Sequence, residues 1–278
     1  MIRIPASSLS SYLSPAKKTE TIKVLQETFD IDIHFNIHEN PELPVIVFLN
    51  GAVDRSRSAD GLVFQRMTWA PEIEAHCIFI ADPTIQLSSD ISIGWGLGNK
   101  DHHAILAMKT ALDKLLAALK NIGLINKTDS FNIGFFGSSA GGFQALCLSA
   151  LYKGSHASVI NPQIDITHYF DKEVRAALWS SFGTSSIEQV SGLYESRLNV
   201  FSFYKSLNFT PSSKIYINTD SQDDINLDLP TIIRHMGDNP KLNDLFSVIF
   251  YSDPLTGHNP PNKEKSMRII KEIIKQIN

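Results

Sequence analysis

The residues of this sequence that are best arranged for chemistry lie in one short turn. The segment FNIGFFGSSAGGFQAL runs from an apolar strand pattern, through Gly137-Ser138-Ser139-Ala140-Gly141, into a small-residue helical pattern. Glycine tolerates the strained backbone and close packing of such a connection, so the turn can raise Ser139 above the end of the strand. Its hydroxyl would then lie at a helix N-terminus, where backbone N–H groups stabilise negative charge. The pattern therefore predicts a nucleophilic serine.

Two other interpretations of this turn stay open at the level of sequence. A pattern with three fixed positions in five often occurs by chance, and a glycine-rich turn can hold a purely structural serine. Ser138 is a competing hydroxyl, but it occupies the variable position of the pattern and its side chain would point elsewhere. The strand before the turn and the helix after it favour Ser139 as the nucleophile.

The order of apolar patterns along the chain predicts the elements that would hold this turn. Short, nearly continuous runs of Val, Ile and Phe alternate with helical patterns, which is typical of a mostly parallel sheet covered by helices. The runs that we predict as strands cover residues 31–37, 44–49, 76–81, 130–136, 157–161, 214–219 and 245–251.

Two amphipathic helices are expected to flank this sheet, because apolar residues recur at spacings of three and four. The first would present Ile105, Met108, Leu112, Leu115, Leu119 and Ile122. Asp101 is expected to cap its start and Gly123 its end. The second, at the C-terminus, would present Met267, Ile270, Ile274 and Ile277, after Pro260 and Pro261.

Residues 163–207 lie between two predicted strands and are rich in aromatic residues but weakly periodic. We interpret them as a helical insertion within a single domain, residues 1–278, because no repeat or Pro/Gly-rich linker divides the chain. The insertion follows a strand whose carboxyl end should face the ligand crevice, so it is expected to form a cap over Ser139. The alternative is an extra helical layer that only enlarges the core.

Composition limits the classes of partner. With a net charge of −4 and a pI near 6.1, the chain lacks the basic surface that binds nucleic acid. It has no run of about 18 apolar residues and no signal-peptide pattern, so a cytoplasmic protein without integral membrane association is expected. The oligomeric state stays open.

The turn Gly137–Gly141, with a strand before it and a helix after it, resembles the nucleophile elbow of the α/β-hydrolase superfamily, and we call it the elbow. The resemblance extends roughly from residue 31 to the C-terminus. It implies an α/β-hydrolase fold and a nucleophilic serine followed along the chain by an acid and then a histidine. The motifs GSSAGGFQAL and VINPQID also resemble hydrolase-like proteins of bacterial surface-polysaccharide and glycan-modification loci, including those that handle O-acetyl groups.

This resemblance implies a base after the last strand and an acid after the preceding one. LFSVIFYSDPLTGHNPP offers His258 as the base. KIYINTDSQDDIN offers three acids, of which the family's usual spacing favours Asp223, with Asp220 as the main alternative and Asp224 also open. The acid would fix the imidazole tautomer and stabilise the imidazolium.

The resemblance also implies two backbone N–H groups that bind an oxyanion. One would be that of Ala140, directly after the nucleophile. The other would come from the loop after an earlier strand, in VIVFLNGAVD, where Gly51 and Ala52 are the candidates. A simple strand-ending turn at Asn50-Gly51 is the alternative interpretation.

A second glycine-rich stretch, GWGLGNKDHH, precedes the first predicted helix. Loops at the carboxyl ends of strands surround the crevice of open α/β sheets, so Trp95, His102 and His103 are expected to border the substrate pocket. Trp179 of the aromatic segment is expected there too. The adjacent histidines would face differently on a helix, and no H-E-x-x-H or C-x-x-C pair is present, so neither a metal nor another cofactor is expected.

The hypothesis from sequence is a serine esterase that acts on a small-molecule or glycan ester through an acyl-enzyme, with glycan deacetylation as one form of it. An O-acyltransferase acting on a surface glycan would use the same residues with a different acceptor. A peptidase is a further alternative, and so is a non-catalytic glycan-binding protein that keeps the fold.

Overall fold

A computed structural model describes residues 1–238 and 245–278 and has one nine-stranded sheet at its centre. The strands are β1 (Ile2–Pro5), β2 (Thr19–Leu25), β3 (Ile31–Asn36), β4 (Val45–Leu49), β5 (His76–Ile80), β6 (Ile133–Ser139), β7 (His156–Pro162), β8 (Ser212–Asn218) and β9 (Phe246–Tyr251). Their order across the sheet is β1-β2-β3-β5-β4-β6-β7-β8-β9.

The sheet is mostly parallel, as the sequence predicts. From β5 through β4, β6, β7 and β8 to β9, every neighbouring pair is parallel, and β3 runs antiparallel to both β2 and β5. The predicted strand 130–136 begins later, at Ile133, because residues Ser130–Asn132 form a 3-10 turn. The carboxyl ends of β4, β6, β7 and β8 therefore meet at one edge of the sheet, where Ser139 lies.

Strands β1 and β2 are absent from the sequence prediction. In β2 the buried Ile22 and Val24 alternate with more exposed residues, so no continuous apolar run marks the strand. Such alternation is the pattern of a strand near a sheet edge that is covered on one face. The prediction relied on continuous apolar runs, which find strands buried on both faces.

Helices cover both faces of the sheet. They are α1 (Leu9–Tyr12), α2 (Ala104–Asn121), α3 (Ala140–Ala150), α4 (Asp171–Phe182), α5 (Ile187–Leu198), α6 (Val200–Leu207), α7 (Leu229–Asp238) and α8 (Lys263–Ile277). The larger apolar core lies between the sheet and α2, α3 and α6, and a second core lies between the sheet and α8.

The helix predicted from Ile105 to Ile122 is α2, and its predicted end at Gly123 is confirmed. Gly123 has a φ of +73° and its N–H bonds to the carbonyl of Lys120. The capping role predicted for Asp101 is wrong. The helix begins at Ala104, after His103, and the side chain of Asn99 instead accepts the N–H groups of Asp101 and His102.

Residues 163–207 are helical, as predicted, and carry α4, α5 and α6. The last of these helices belongs to the core, because Phe201, Phe203 and Tyr204 are buried. The Tyr204 hydroxyl also donates to the carbonyl of Leu146 in α3. At its start the segment runs along the sheet edge that carries Ser139, where Gln163 follows directly after β7.

Candidate active site

The turn between β6 and α3 holds Ser139 in a strained conformation. Ser139 has a φ of +54°, a backbone conformation that residues other than glycine rarely adopt. The flanking glycines are needed for packing, since a Cβ on Gly137 would overlap the carbonyl of Gly141. A Cβ on Gly141 would lie 2.5 Å from the carbonyl oxygen of Leu49. Strain that is held this firmly is typical of functional sites.

A chain of two hydrogen bonds runs from Ser139 through His258 to Asp224. The Oγ atom of Ser139 lies 2.9 Å from Nε2 of His258. On the other side of the ring, Nδ1 lies 2.8 Å from Oδ1 of Asp224. With its proton on Nδ1, the imidazole donates to the carboxylate and accepts from the serine hydroxyl. A neutral imidazole in this position can remove the serine proton.

The preference for Asp223 as the partner of His258 is wrong, and so is the alternative Asp220. Asp224 is fully buried and contacts the ring, whereas Asp223 is exposed. Asp220 bonds instead to the Ser252 hydroxyl at 2.7 Å. The helical turn begins directly after Ser221, so adjacent residues point in different directions and only Asp224 faces the ring.

Two buried asparagines that the sequence analysis missed hold the loop before His258. Asn161, at the carboxyl end of β7, donates through Nδ2 to the carbonyl of His258 at 3.0 Å. Asn218, at the end of β8, donates to the carbonyl of Gly257 at 2.8 Å, and its N–H bonds to Oδ1 of Asn161 at 2.8 Å. A polar residue ending an otherwise apolar strand, as in VIN and IYIN, was the available signal.

Carboxylates around His258 favour its charged form. Burial lowers the pKa of His258, but the hydrogen bond and charge of Asp224, with the charges of Asp228 and Asp223, raise it above its usual value overall. Burial raises the pKa of Asp228 to about 7, so this carboxyl adds its charge mainly above neutral pH, whereas Asp224 contacts the ring directly. An imidazolium formed after proton transfer would therefore be stabilised where it stands.

The predicted oxyanion donors differ in availability. Ala140 is the first residue of α3, so its N–H has no acceptor within the helix. Gly51 lies against the elbow, but its N–H is taken by Oε1 of Gln65 at 3.1 Å, which corrects its assignment as a donor. Within the described residues the N–H of Ala52 meets no acceptor. Ala140 and Ala52 are therefore the two predicted oxyanion donors whose backbone N–H groups remain available.

A small pocket opens beside His258 and is lined on one side by the aromatic segment. Tyr169 has its ring centroid 6.3 Å from that of His258. Gln163, Asp165, Asp223, Leu227 and Asp228 line the same pocket. Ser139 does not line this pocket, so its acidic side chains surround the Asp224 side of the His258 ring.

The prediction that Trp95, His102 and His103 border the pocket is wrong, because none of them lines it. Trp95 is fully buried behind Tyr169, with ring centroids 5.8 Å apart, and its Nε1 donates to Gln163 at 2.6 Å. His102 is exposed, while His103 is buried against Phe203.

The prediction that Trp179 borders the substrate pocket is wrong. Its side chain is 64% exposed and lies in a surface depression with Leu87 and Arg175, whose lining includes neither Ser139 nor His258. Of the four predicted pocket residues, only Trp95 contacts residues that line the pocket, namely Tyr169 and Gln163.

Residues 1–238 and 245–278 hold neither a ready-made metal site nor a membrane-spanning helix. No group of three or more His, Cys, Asp or Glu side chains is arranged to hold a metal ion. No helix in these ranges has both the length and the apolar character needed to cross a membrane.

Similarity to known proteins is visible in structure but not in sequence. No family model and no curated protein matches the sequence. The capsule O-acetyltransferase of Neisseria meningitidis serogroup A is similar in structure, with 14% identity, a TM-score of 0.61 and coverage of 92% of this chain and 93% of that chain.

Two hydrolases are similar to the same degree. An S-formylglutathione hydrolase from Agrobacterium tumefaciens has 13% identity and a TM-score of 0.60, over 94% of this chain and 95% of that chain. Carboxyl esterase 2 from the mycorrhizal fungus Tuber melanosporum has 15% identity and a TM-score of 0.60, over 98% and 97%. Identities this low show the fold alone. The protein therefore has the α/β-hydrolase fold.

Proposed function

We propose that this protein is a serine esterase that works through an acyl-enzyme, with Ser139 as nucleophile, His258 as general base and Asp224 as the acid that orients the base. The observation that carries the proposal is the continuous hydrogen-bonded chain Ser139–His258–Asp224, with contacts of 2.9 and 2.8 Å. We take residues 1–278 as one catalytic domain, with residues 163–207 supplying its cap.

The first half-reaction forms the acyl-enzyme. Nε2 of His258 removes the hydroxyl proton as Oγ of Ser139 attacks the ester carbonyl, and the carbonyl oxygen becomes an oxyanion. The N–H groups of Ala140 and Ala52 are proposed to bind that oxyanion, which is the largest single contribution in acyl transfer of this kind. The imidazolium then donates its proton to the leaving alcohol as the tetrahedral intermediate collapses.

The second half-reaction releases the acyl group. A water molecule, deprotonated by His258, attacks the acyl-enzyme, and Ser139 is restored with its proton. Asp224 stabilises the imidazolium in both half-reactions and holds the proton of the neutral ring on Nδ1. The buried Asn161 and Asn218 support this by holding the backbone of the His258 loop.

A second candidate function is O-acyl transfer to a sugar hydroxyl. It uses the same groups, with the sugar in place of water, and the likeness to a capsule O-acetyltransferase favours it to that extent. Product analysis separates the two functions. With an acetyl donor and a glycan acceptor present, an esterase releases acetate, whereas a transferase gives an acetylated glycan. A peptidase would cleave amides, and a non-catalytic glycan-binding protein would do none of these.

The Ser139→Ala variant tests the proposal. We expect it to lose hydrolysis of short-chain p-nitrophenyl esters by several powers of ten, with little change in melting temperature, because the hydroxyl reacts rather than packs. Ser138→Ala is the matched comparison, since Oγ of Ser138 bonds to Arg66 and not to His258. If Ser139→Ala retains activity while Ser138→Ala loses it, the nucleophile is Ser138 and the proposed mechanism is wrong.

A further inference from the structure

Arg66 lies directly beside the elbow, and the mechanism above does not use it. Its Nη2 atom donates to Oγ of Ser138 at 2.9 Å, one residue before the proposed nucleophile. The guanidinium carbon lies 5.2 Å from the centroid of the Phe136 ring and 5.7 Å from that of Trp69. A positive charge is thus held between aromatic rings at the end of β6.

This charge has no counter-ion in the described part of the chain. None of the ion pairs found there includes Arg66, and its buried Nε atom has no hydrogen-bond acceptor. Burial lowers the pKa of Arg66 to about 10, so the group stays protonated at neutral pH. Cations in partly buried sites are normally paired with a carboxylate, because desolvating an unpaired charge is costly. An unsatisfied buried donor beside a reactive group therefore needs an explanation.

Arg66 is also tied, through its neighbour Gln65, to the loop that would bind the oxyanion. The preceding residue, Gln65, accepts the N–H of Gly51 and donates through Nε2 to the carbonyl of Ala52 at 2.9 Å. Its own N–H bonds to Oδ1 of Asn50 at 3.0 Å. Arg66 itself has a φ of +68°, in the left-handed region. These contacts hold the guanidinium at a fixed place relative to Ala52 and Ser138.

We propose that Arg66 binds an anionic group of the ester substrate, a carboxylate or a phosphate. The inference rests on the proposed esterase function and specifies its substrate class. Nε is too deeply buried to meet a ligand, but the Arg66 residue as a whole is half-buried, so an oxyanion would contact the Nη end of the guanidinium. The planar N–H groups there match the oxygens of a carboxylate or a phosphate. The Ser138 hydroxyl, held by Arg66, can donate its own proton to the same group. The anionic group lies on either the acyl part or the alcohol part of the ester.

Three phenyl esters distinguish these arrangements. Phenyl acetate is neutral, phenyl hydrogen succinate carries its charge on the acyl part, and 4-acetoxybenzoate carries it on the alcohol part. We expect Arg66→Gln to lower kcat/KM for one anionic ester about tenfold to a hundredfold more than for phenyl acetate, mainly through KM. Arg66→Lys should restore part of the difference. The control Arg57→Gln, an exposed arginine of the same segment, should leave the ratio between esters unchanged.

Binding of inorganic phosphate and of benzoate, measured by calorimetry on wild type and on both Arg66 variants, gives a readout independent of catalysis. Anion binding that is lost in Arg66→Gln and retained in Arg66→Lys supports the anion site. If the wild type binds the anion in this way but hydrolyses no ester, only the proposed function fails. If Arg66→Gln does not fold, the test uses Arg66→Lys and the wild-type ratios of kcat/KM between the esters. Wild-type hydrolysis without any preference for an anionic ester, together with no anion binding, overturns the inference and leaves the esterase proposal standing.

Discussion

Oδ1 of Asp228 accepts the backbone N–H of Ile164 at 2.7 Å. This bond joins the turn that carries Asp224 to the first residues of the aromatic segment. Asp228 is buried, and its charge is among those that raise the pKa of His258. The same carboxylate therefore anchors the segment and influences the proposed base.

Asp228→Asn is expected to move the acid limb of the pH–rate profile to lower pH. Only neutral His258 can accept the Ser139 proton, so kcat/KM rises as the pH passes through the pKa of His258. Asp228→Asn removes the negative charge that Asp228 carries above about pH 7, which destabilises the imidazolium and lowers the pKa of His258. The measurement is kcat/KM from about pH 5 to about pH 9. Asp220→Asn, whose carboxylate bonds to Ser252, is the control, and equal shifts in both variants would contradict the account.

Asp224→Asn is expected to lower kcat/KM by about ten-thousandfold, as loss of the orienting acid does in serine proteases. Asp223→Asn, a change of the adjacent exposed carboxylate, should lower it far less. Steady-state kinetics measures both, and circular dichroism checks that the buried substitution keeps the fold. A larger loss in Asp223→Asn would return the acid to the residue that sequence spacing favours.

Ala52→Pro is expected to lower kcat by about a hundredfold to a thousandfold, because proline has no N–H to donate to the oxyanion. Ala52→Gly keeps the N–H and is the matched control. Melting temperatures of both variants show whether the loop stays intact. Near wild-type rates in a folded Ala52→Pro variant would remove Ala52 from the proposed oxyanion site.

Tyr169→Ala is expected to change the preference among acyl donors of different length, because its ring forms one wall of the pocket beside His258. Trp179→Ala removes another large aromatic residue of the same segment from an exposed position, so its substrate profile should match the parent. Comparing kcat/KM across a series of p-nitrophenyl esters checks both. If the two variants behave alike, the segment has no cap function at Tyr169.

A local pattern and a family resemblance together brought Ser139 and His258 into one hypothesis. The glycine spacing marks the turn that carries Ser139, and the resemblance to the α/β-hydrolase superfamily implies a histidine after the last strand. The structure has the two side chains in contact. Their chemical roles stay predictions. The parallel strands were predictable for a similar reason, because burial on both faces leaves continuous apolar runs.

Other features depend on contacts that no local pattern carries. Whether Asp223 or Asp224 faces His258 depends on where the helical turn begins after β8, a difference of one residue. The exposure of Trp179 depends on which face of α4 packs inward, and Val174 and Leu178 occupy that face. The unpaired charge of Arg66 becomes visible only when the surroundings of its side chain are known.

Labelling with a fluorophosphonate probe tests the central claim most directly, because the probe reacts with serines activated by a neighbouring base. We expect one adduct, mapped by mass spectrometry to Ser139, that is lost in Ser139→Ala and strongly reduced in Asp224→Asn. A folded wild-type protein that forms no adduct, or one that is labelled at Ser138 instead, would contradict this claim.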